Sequence, residues 1–358
     1  MSVDTQAWTD DEFEDEAGEQ QELFEHFHLD VDKGQAPTRI DKFLTDKIKS
    51  VSRNRIQSAA EAGTILVNGK AVKASYKIKP LDSISIVMAE PPRDVEIKAE
   101  NIPLNILFED DHLIILNKEA GMVVHPGHGN FTGTLVNALM YHLKDVPLFS
   151  SGEVRPGLVH RIDRNTSGIL VIAKTELAMN NLARQFFDRT TSRRYIALVW
   201  GNMDTDSGTV TGNIGRSIRD RKKMQVFPEG DQGKHAVTHW KVLERLGYVT
   251  LIECKLETGR THQIRAHFEY IRHPLFNDDK YGGNSIVKGT TFTKYKQFID
   301  NCFKICPRHA LHAQSLGFKH PATGKEMHFE SEVPADITQV IEKWRTYTGA
   351  RGNAFEEE

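Results

Sequence analysis

A continuous apolar run, Gly168-Ile169-Leu170-Val171-Ile172-Ala173, follows directly on a cluster of charge. Its length and β-branched content predict a buried strand. Immediately before it stand Arg155, His160, Arg161, Asp163 and Arg164, then an Asn165–Gly168 turn. Charge set against the entrance of a buried strand is costly unless paired, so such a cluster marks a functional candidate. Asp163 lies at its centre. From this stretch alone it reads equally well as a turn cap bridged to Arg161 or Arg164.

With 358 residues and 39% hydrophobic content, the chain has material for two or three globular domains. No apolar run approaches membrane-spanning length, and the acidic N-terminus is the opposite of a signal peptide. Three cysteines, Cys254, Cys302 and Cys306, fit a reducing, cytoplasmic setting. Cys302 and Cys306 have no second pair with which to complete a zinc site. The net charge of −3 hides an asymmetry: residues 1–32 hold twelve Asp and Glu and no Lys or Arg. The total therefore divides into −12 for that stretch and +9 for the rest. A basic body behind an acidic tail suggests a nucleic-acid partner.

Residues 1–35 are expected to form an acidic, disordered leader in which Phe24, Phe27 and Leu29 dock weakly at most. Residues 36–88 read as a compact module. Ile40, Phe43, Leu44 and Ile48 fall at helical spacing, and Ser52 suits the N-cap of a second helix that Gly63 stops. Thr64–Val67, Asn68-Gly69 and Lys70–Val72 form a hairpin signal with a type I′ turn, closed by an alternating strand at Ser83–Val87. Residues 89–101 are the expected linker. Residues 102–346 are mainly strands with a few helices, and 347–358 are a tail. Within that region the patterns give a hairpin at 106–118, helices at 135–143, 177–187 and 262–271, and strands at 194–200, 238–243 and 249–256. Asn284–Cys306 is too polar and unpatterned to assign and reads as an insertion or lid.

Three further clusters accompany the opening one. Asn117–Gly133 sets Gly127, Gly129 and Gly133 before a helix start, a weak phosphate-cradle signal and a better loop for shaping a cleft. Ser192–Val199 holds Tyr195 in an alternating strand. Leu256–Arg265 packs Arg260, His262 and Arg265 at the start of a helix, but His262 and His267, five apart, do not share a face as metal ligands would.

The motifs RIDKFL, SRNRIQ and AGTILVNGKAV resemble an S4 RNA-binding domain. That likeness implies that Arg53, Arg55, Lys70, Lys73 and Lys77 face phosphates. HRIDRNTSGIL, RRYIALVWG, LETGRTHQIRAHFEYIRHPL and RHALHAQSLGFKHPATGKEMHF stand in the order and spacing of the RluA-type RNA pseudouridine synthases. With the S4 module, the whole is similar to the large-subunit ribosomal RNA enzymes of the RluD and RluC kind. The resemblance implies an α+β fold: an S4 module followed by a catalytic domain whose mixed, mostly antiparallel sheet surrounds a central cleft. It implies Asp163 as the catalytic aspartate, Tyr195 as the ring that stacks on the target base, Arg265 as the partner of Asp163, and Ile264 and Leu311 as apolar walls. His160, Arg161, Arg260 and His262 are supporting residues on this reading. Arg164, Arg193 and Arg194 are expected to position RNA phosphates, as are Arg155 and the basic run Arg216–Lys223. Where the family usually has Lys-Pro-x-Gly, this chain has Lys118-Glu119-Ala120-Gly121, which loosens a loop near the cleft.

The implied reaction converts uridine to pseudouridine in RNA, with 23S ribosomal RNA as the expected substrate and no metal, nucleotide or redox cofactor. The expected form is a cytoplasmic monomer. Two other classes compete: an inactive RNA-binding assembly factor, against which the presence of Asp163, Tyr195 and Arg265 counts, and a glycosidase, which needs a second carboxylate facing the bond.

Overall fold

The structure, a computed structural model, describes residues 24–48, 53–88, 97–127, 130–150, 157–220 and 222–350. It divides into two compact units, Met1–Val95 and Glu96–Glu358.

The first unit contains β1 (Phe24–Asp30), α1 (Ile40–Lys47), α2 (Arg53–Glu61), β2 (Ile65–Val67), β3 (Lys70–Ala71) and β4 (Ser83–Met88). Its antiparallel sheet runs β1-β4-β2-β3. Asn68 and Gly69 take φ of 51° and 75°, as a type I′ turn requires, so the expected hairpin forms. Ile40, Phe43 and Leu44 of α1 pack with Ile56 of α2 against Ile65 and Ile84. The leader expected to be disordered through residue 35 in fact supplies β1, which pairs with β4 along Phe24–Asp30. Phe27 and Leu29 pack on the core and Val31 enters it, an alternation that outweighs the acidic composition around it. Ser52, the expected N-cap, lies outside the described residues, as does the side chain of Arg55.

The second unit is built from β5 (Ile106–Glu109), β6 (Leu113–Lys118), α3 (Leu135–His142), α4 (Pro147–Ser150), β7 (Ser167–Ala173), α5 (Glu176–Phe187), β8 (Ser192–Trp200), β9 (Ser207–Arg216), β10 (Met224–Phe227), β11 (Lys234–Arg245), β12 (Val249–Leu256), α6 (Gln263–Tyr270), α7 (Thr293–Ile305), β13 (Leu311–Lys319), β14 (Glu326–Glu330) and α8 (Ala335–Gly349). One sheet runs β10-β9-β11-β12-β8-β13-β7-β6-β5, with β14 pairing β13. Every pairing in it is antiparallel except β7 with β13. This is the mixed, mostly antiparallel sheet that was expected.

β7 is buried along its whole length because both faces are covered. Leu170 and Ile172 pack with Leu135 and Leu139 of α3. Ile169 and Val171 pack on the other side with Ala178 and Leu182 of α5. A strand covered on both faces gains from apolar residues at consecutive positions, which explains the unbroken run.

Asn284–Cys306, left unassigned from sequence, contains α7. Tyr295, Ile299 and Cys302 fall on one helical face and pack with Trp344 of α8. α8 itself passes the expected domain end at 346 to reach Gly349, and the Tyr347 ring stacks on Phe298 at 4.7 Å. Cys302 and Cys306 are buried in this cluster, where loss of solvent pushes both thiols up to about 12. The end of the expected linker belongs to this unit: Asn137 Nδ2 donates to Lys98 O at 2.8 Å, and Glu100 N donates to Asn137 O.

Candidate active site

Four parts of the chain bring the predicted residues together. The turn before β7 presents Asp163, β8 presents Tyr195, and the first turn of α6 presents Ile264 and Arg265. With Leu311 at the start of β13 they line a cleft of about 290 Å³. That volume is at the small end of ligand clefts, about 300 Å³ upward.

Asp163 is 18% exposed at its side chain, and Arg265 Nη1 donates to its Oδ2 at 3.1 Å. The other side of the same guanidinium is held by Asp278, which accepts from Nε at 2.7 Å and from Nη2 at 2.8 Å. Asp278 is fully buried and also accepts from the backbone N–H groups of Lys280 and Tyr281. Burial opposes the Arg265 charge, but Asp278 first and Asp163 second outweigh it and raise its pKa above the arginine range. The planar fork is thus fixed along one edge, leaving Nη1 to meet the Asp163 carboxylate. Asp278 had no place in the sequence reading. The signal was a paired aspartate in the apolar context Pro274-Leu275-Phe276, too common a pattern to single out.

The backbone around Asp163 is held by two further cations. Lys118 Nζ donates to the carbonyls of Glu119, Met122 and Arg164 at 2.6, 2.9 and 2.9 Å. Burial lowers its pKa to about 7, Arg308 adding to the effect and Asp163 opposing it. Three carbonyl acceptors need three N–H donors, so the geometry is that of the ammonium. Arg308 donates to Asn165 O at 3.0 Å while its Nε and Nη2 grip Asp336 at 2.7 and 3.0 Å. The carbonyls of both residues following Asp163 are therefore pinned. The Lys118–Gly121 loop, expected to be loosened by its missing proline, is tied back through Gly121 N to Arg164 O.

The supporting residues divide. His262 lies 3.9 Å from Asp163 Oδ2 and bonds the Tyr281 hydroxyl through Nδ1 at 2.9 Å. Burial holds its pKa below the usual histidine value, with Asp163 opposing. Its φ of 53° is left-handed, a conformation that non-glycine residues adopt rarely and mostly where structure demands it. His160 does not reach Asp163. Its ring stacks on Phe186 at 4.5 Å, and its Nε2 accepts the N–H of Val171, so it braces β7; burial lowers its pKa to about 3 and keeps it neutral. Arg161 is exposed at the rim, and Arg260 is tied to His235 O through Nε at 3.0 Å. Gln263, unpredicted, staples this loop by accepting from Thr258 and the Arg260 N–H.

The expected RNA contacts also divide. Lys70, Lys73 and Lys77 are exposed on the first unit. Arg53 pairs with buried Asp41 at 3.0 Å, as Arg39 does at 2.9 Å. Arg164 is exposed but donates through Nε to Gly121 O. Arg194 is a correction: its guanidinium is engaged by Glu330, by Glu253 at 3.5 Å and by the Ser315 hydroxyl, so it is not a free phosphate grip. Arg193 is buried and lines the cleft rather than standing on the surface. The basic run at 216–223 lies between β9 and β10, which pair antiparallel. Arg155, Gly129 and Arg221 lie outside the described residues. The conceivable phosphate cradle before α3 is occupied by protein: Gly133 N donates to the Glu100 carboxylate at 3.1 and 3.2 Å. Among the described residues, no group of three or more His, Cys, Asp or Glu is placed to hold a metal.

Comparison with known proteins agrees with this architecture. A family model described as RNA pseudouridylate synthase matches residues 112–270, and an S4 domain model matches residues 38–84. An uncharacterized RNA pseudouridine synthase of Chlorobaculum parvum is 47% identical over 320 residues, covering 89% of this chain and 97% of its own. A ribosomal large subunit pseudouridine synthase D of Zymomonas mobilis is 41% identical over 306 residues, covering 84% and 91%. The solved structure of human RNA pseudouridylate synthase domain containing 4 aligns with a TM-score of 0.50 at 22% identity, over 67% of this chain and 93% of that one, a likeness of fold. Identity of this order across nearly the whole chain, on an S4 domain followed by this sheet and cleft, makes the protein a member of the RNA pseudouridine synthase family.

Proposed function

We propose that this synthase isomerises particular uridines of 23S ribosomal RNA, or of its large-subunit precursor, with Asp163 performing the chemistry. One observation carries the reading: a partly exposed carboxylate sits 3.1 Å from a buried, clamped guanidinium in a cleft lined by Tyr195, Ile264 and Leu311. The choice of RNA is supported by relatives named ribosomal large subunit pseudouridine synthase D.

The isomerisation breaks N1–C1′, turns the uracil, joins C5 to C1′ and moves a proton from C5 to N1. Atoms and charge balance without an external donor. A stacked uracil cannot be reached, so the nucleotide is extruded at a cost of roughly a few kcal/mol. The aromatic face of Tyr195 and the apolar walls of Ile264 and Leu311 hold the freed base without fixing its in-plane orientation. Asp163 acts on the sugar by attack at C1′ or by taking the C2′ proton to give a glycal. Both routes require the carboxylate that Arg265 orients. Exposed Lys70, Lys73 and Lys77 of the S4 unit supply sequence-independent phosphate contacts.

We assign the protein to the cytoplasm as a monomer, since its target is a large asymmetric RNA. No helix among the described residues is long and apolar enough to cross a membrane.

Asp163→Asn tests the reading. It should cut pseudouridine formation by on the order of 10⁴-fold, the scale on which loss of a reacting side chain falls, while RNA affinity changes little. Near-normal turnover in that variant would overturn the role of Asp163. A deletion strain that retained every pseudouridine of its 23S RNA would overturn the substrate.

A further inference from the structure

The cleft holds more positive charge than Asp163 needs. Among the described lining residues Asp163 is the only carboxylate, whereas Arg161, Arg193, Arg260 and Arg265 all face the same space. Arg265 is answered by Asp163 and Asp278, Arg260 leans on a backbone carbonyl, and Arg161 is out in solvent. Arg193 differs from all of them. It is only 8% exposed, its Nε has no hydrogen-bond partner, and it makes no ion pair among the described residues. Its one defined contact is with the face of the Phe186 ring, 5.6 Å from the centroid.

A buried guanidinium without a counter-ion loses hydration that nothing returns. Desolvation accordingly lowers the Arg193 pKa below the arginine range, with Tyr195 only partly opposing. The surrounding structure nevertheless keeps the group in place. A Cβ at position 259 would come within 2.8 Å of Arg193 Nη1, so Gly259 leaves the space that the guanidinium needs. Strand geometry sets its direction. Arg193 and Tyr195 are two apart on β8 and share the face that looks into the cleft, whereas Arg194 between them looks the other way, to Glu253 and Glu330.

We propose that Arg193 is the inner anion site of the cleft and binds a phosphodiester adjoining the extruded uridine, beside the base held on Tyr195. This inference rests on the RNA pseudouridylation reading above and adds a specific contact to it. A planar guanidinium with several free N–H donors matches two phosphate oxygens, and its low exposure makes the contact stronger than one at the rim. In the free protein the site bears an unanswered charge. Substrate supplies the missing anion, so the contact also favours RNA with the nucleotide already turned into the cleft.

The experiment uses the full-length protein and a short RNA containing one target uridine. A methylphosphonate, which removes the phosphate charge, replaces the linkage on the 5′ side or on the 3′ side of that uridine. In the wild type, one of the two substitutions should lower kcat/KM by about 10- to 100-fold, as expected for loss of a charged hydrogen-bond acceptor. Arg193→Met should lower kcat/KM on unmodified RNA by a similar factor and lose nothing further on the sensitive methylphosphonate. Arg193→Lys should recover part of the loss. Equal sensitivity of wild type and Arg193→Met to the methylphosphonate would overturn the proposal. So would a wild type indifferent to both substitutions, a result that needs no folded variant. A wild type that forms no pseudouridine on any ribosomal substrate overturns the functional reading instead.

Discussion

Asp163 shows how little a single residue declares about itself. In sequence it was a turn cap or an active group with equal claim. Its turn does have local order, since Thr166 N donates to Asp163 O at 3.1 Å. What distinguishes the side chain is Arg265, 102 positions away, and behind Arg265 the buried Asp278. Asp278→Asn replaces one accepting oxygen with an amide donor that faces the guanidinium. We expect kcat to fall by about 10- to 100-fold with KM nearly unchanged, from the loss of a charged hydrogen bond that orients the arginine. Steady-state kinetics on the folded variant checks this, and an unchanged kcat would show that Arg265 is oriented without the clamp. The adjacent arginines on β8 carry the same lesson. Arg193 and Arg194 look interchangeable in a basic motif, yet the period-2 alternation of a strand sends one into the cleft and the other to Glu253 and Glu330.

At the scale of elements, β7 is the piece that sequence described best, because burial on both faces leaves an unbroken apolar run. Its position beside β13 was not described, since parallel pairing with a strand far along the chain leaves no local mark. Gly168 makes that pairing possible. Its φ is 123°, and a Cβ there would stand 2.2 Å from Ala313 O. Gly168→Ala should therefore force β7 from β13 and destabilise the catalytic unit by more than about 2 kcal/mol, combining a backbone clash with an unfavourable φ. It should also separate Asp163 from Leu311. Thermal unfolding of the variant is the measurement, and a wild-type midpoint would refute the argument. β1 and α7 were missed for a shared reason. Each is a short periodic apolar pattern within strongly polar sequence, and it becomes an element only when a packed neighbour covers it: β4 for β1, α8 for α7.

For the whole molecule, the main pH liability lies in buried histidines of the catalytic unit. His267 and His312 are fully buried with pKa values lowered to about 4. His160 lies at about 3. The unfolded chain binds protons at these positions near the ordinary value of 6.5, whereas the folded protein does not. Their contribution is thus fully present above pH 6.5 and is lost as pH falls toward 4. A group displaced that far contributes roughly 3 kcal/mol. Unfolding followed by tryptophan fluorescence, with Trp200 and Trp344 both buried in this unit, should show stability falling across that window, before most carboxylates titrate. His267→Asn, which can keep the bond to Thr238, should flatten the slope even if it lowers stability at neutral pH. An unaltered slope would place the acid sensitivity elsewhere.

The sequence by itself determined the division into an S4 module and a synthase domain, the central strand and the candidacy of Asp163. Hydrophobic periodicity, turn chemistry and motif order are all properties of neighbouring residues. Only the tertiary structure decided which charges are answered. Asp278 clamps Arg265, Lys118 and Arg308 pin the turn after Asp163, Glu100 fills the cradle before α3, and Arg193 stands in the cleft with no carboxylate partner among the described residues. A charge acquires its role from what lies within a few ångströms of it, and in this protein those partners stand tens to hundreds of residues away along the chain.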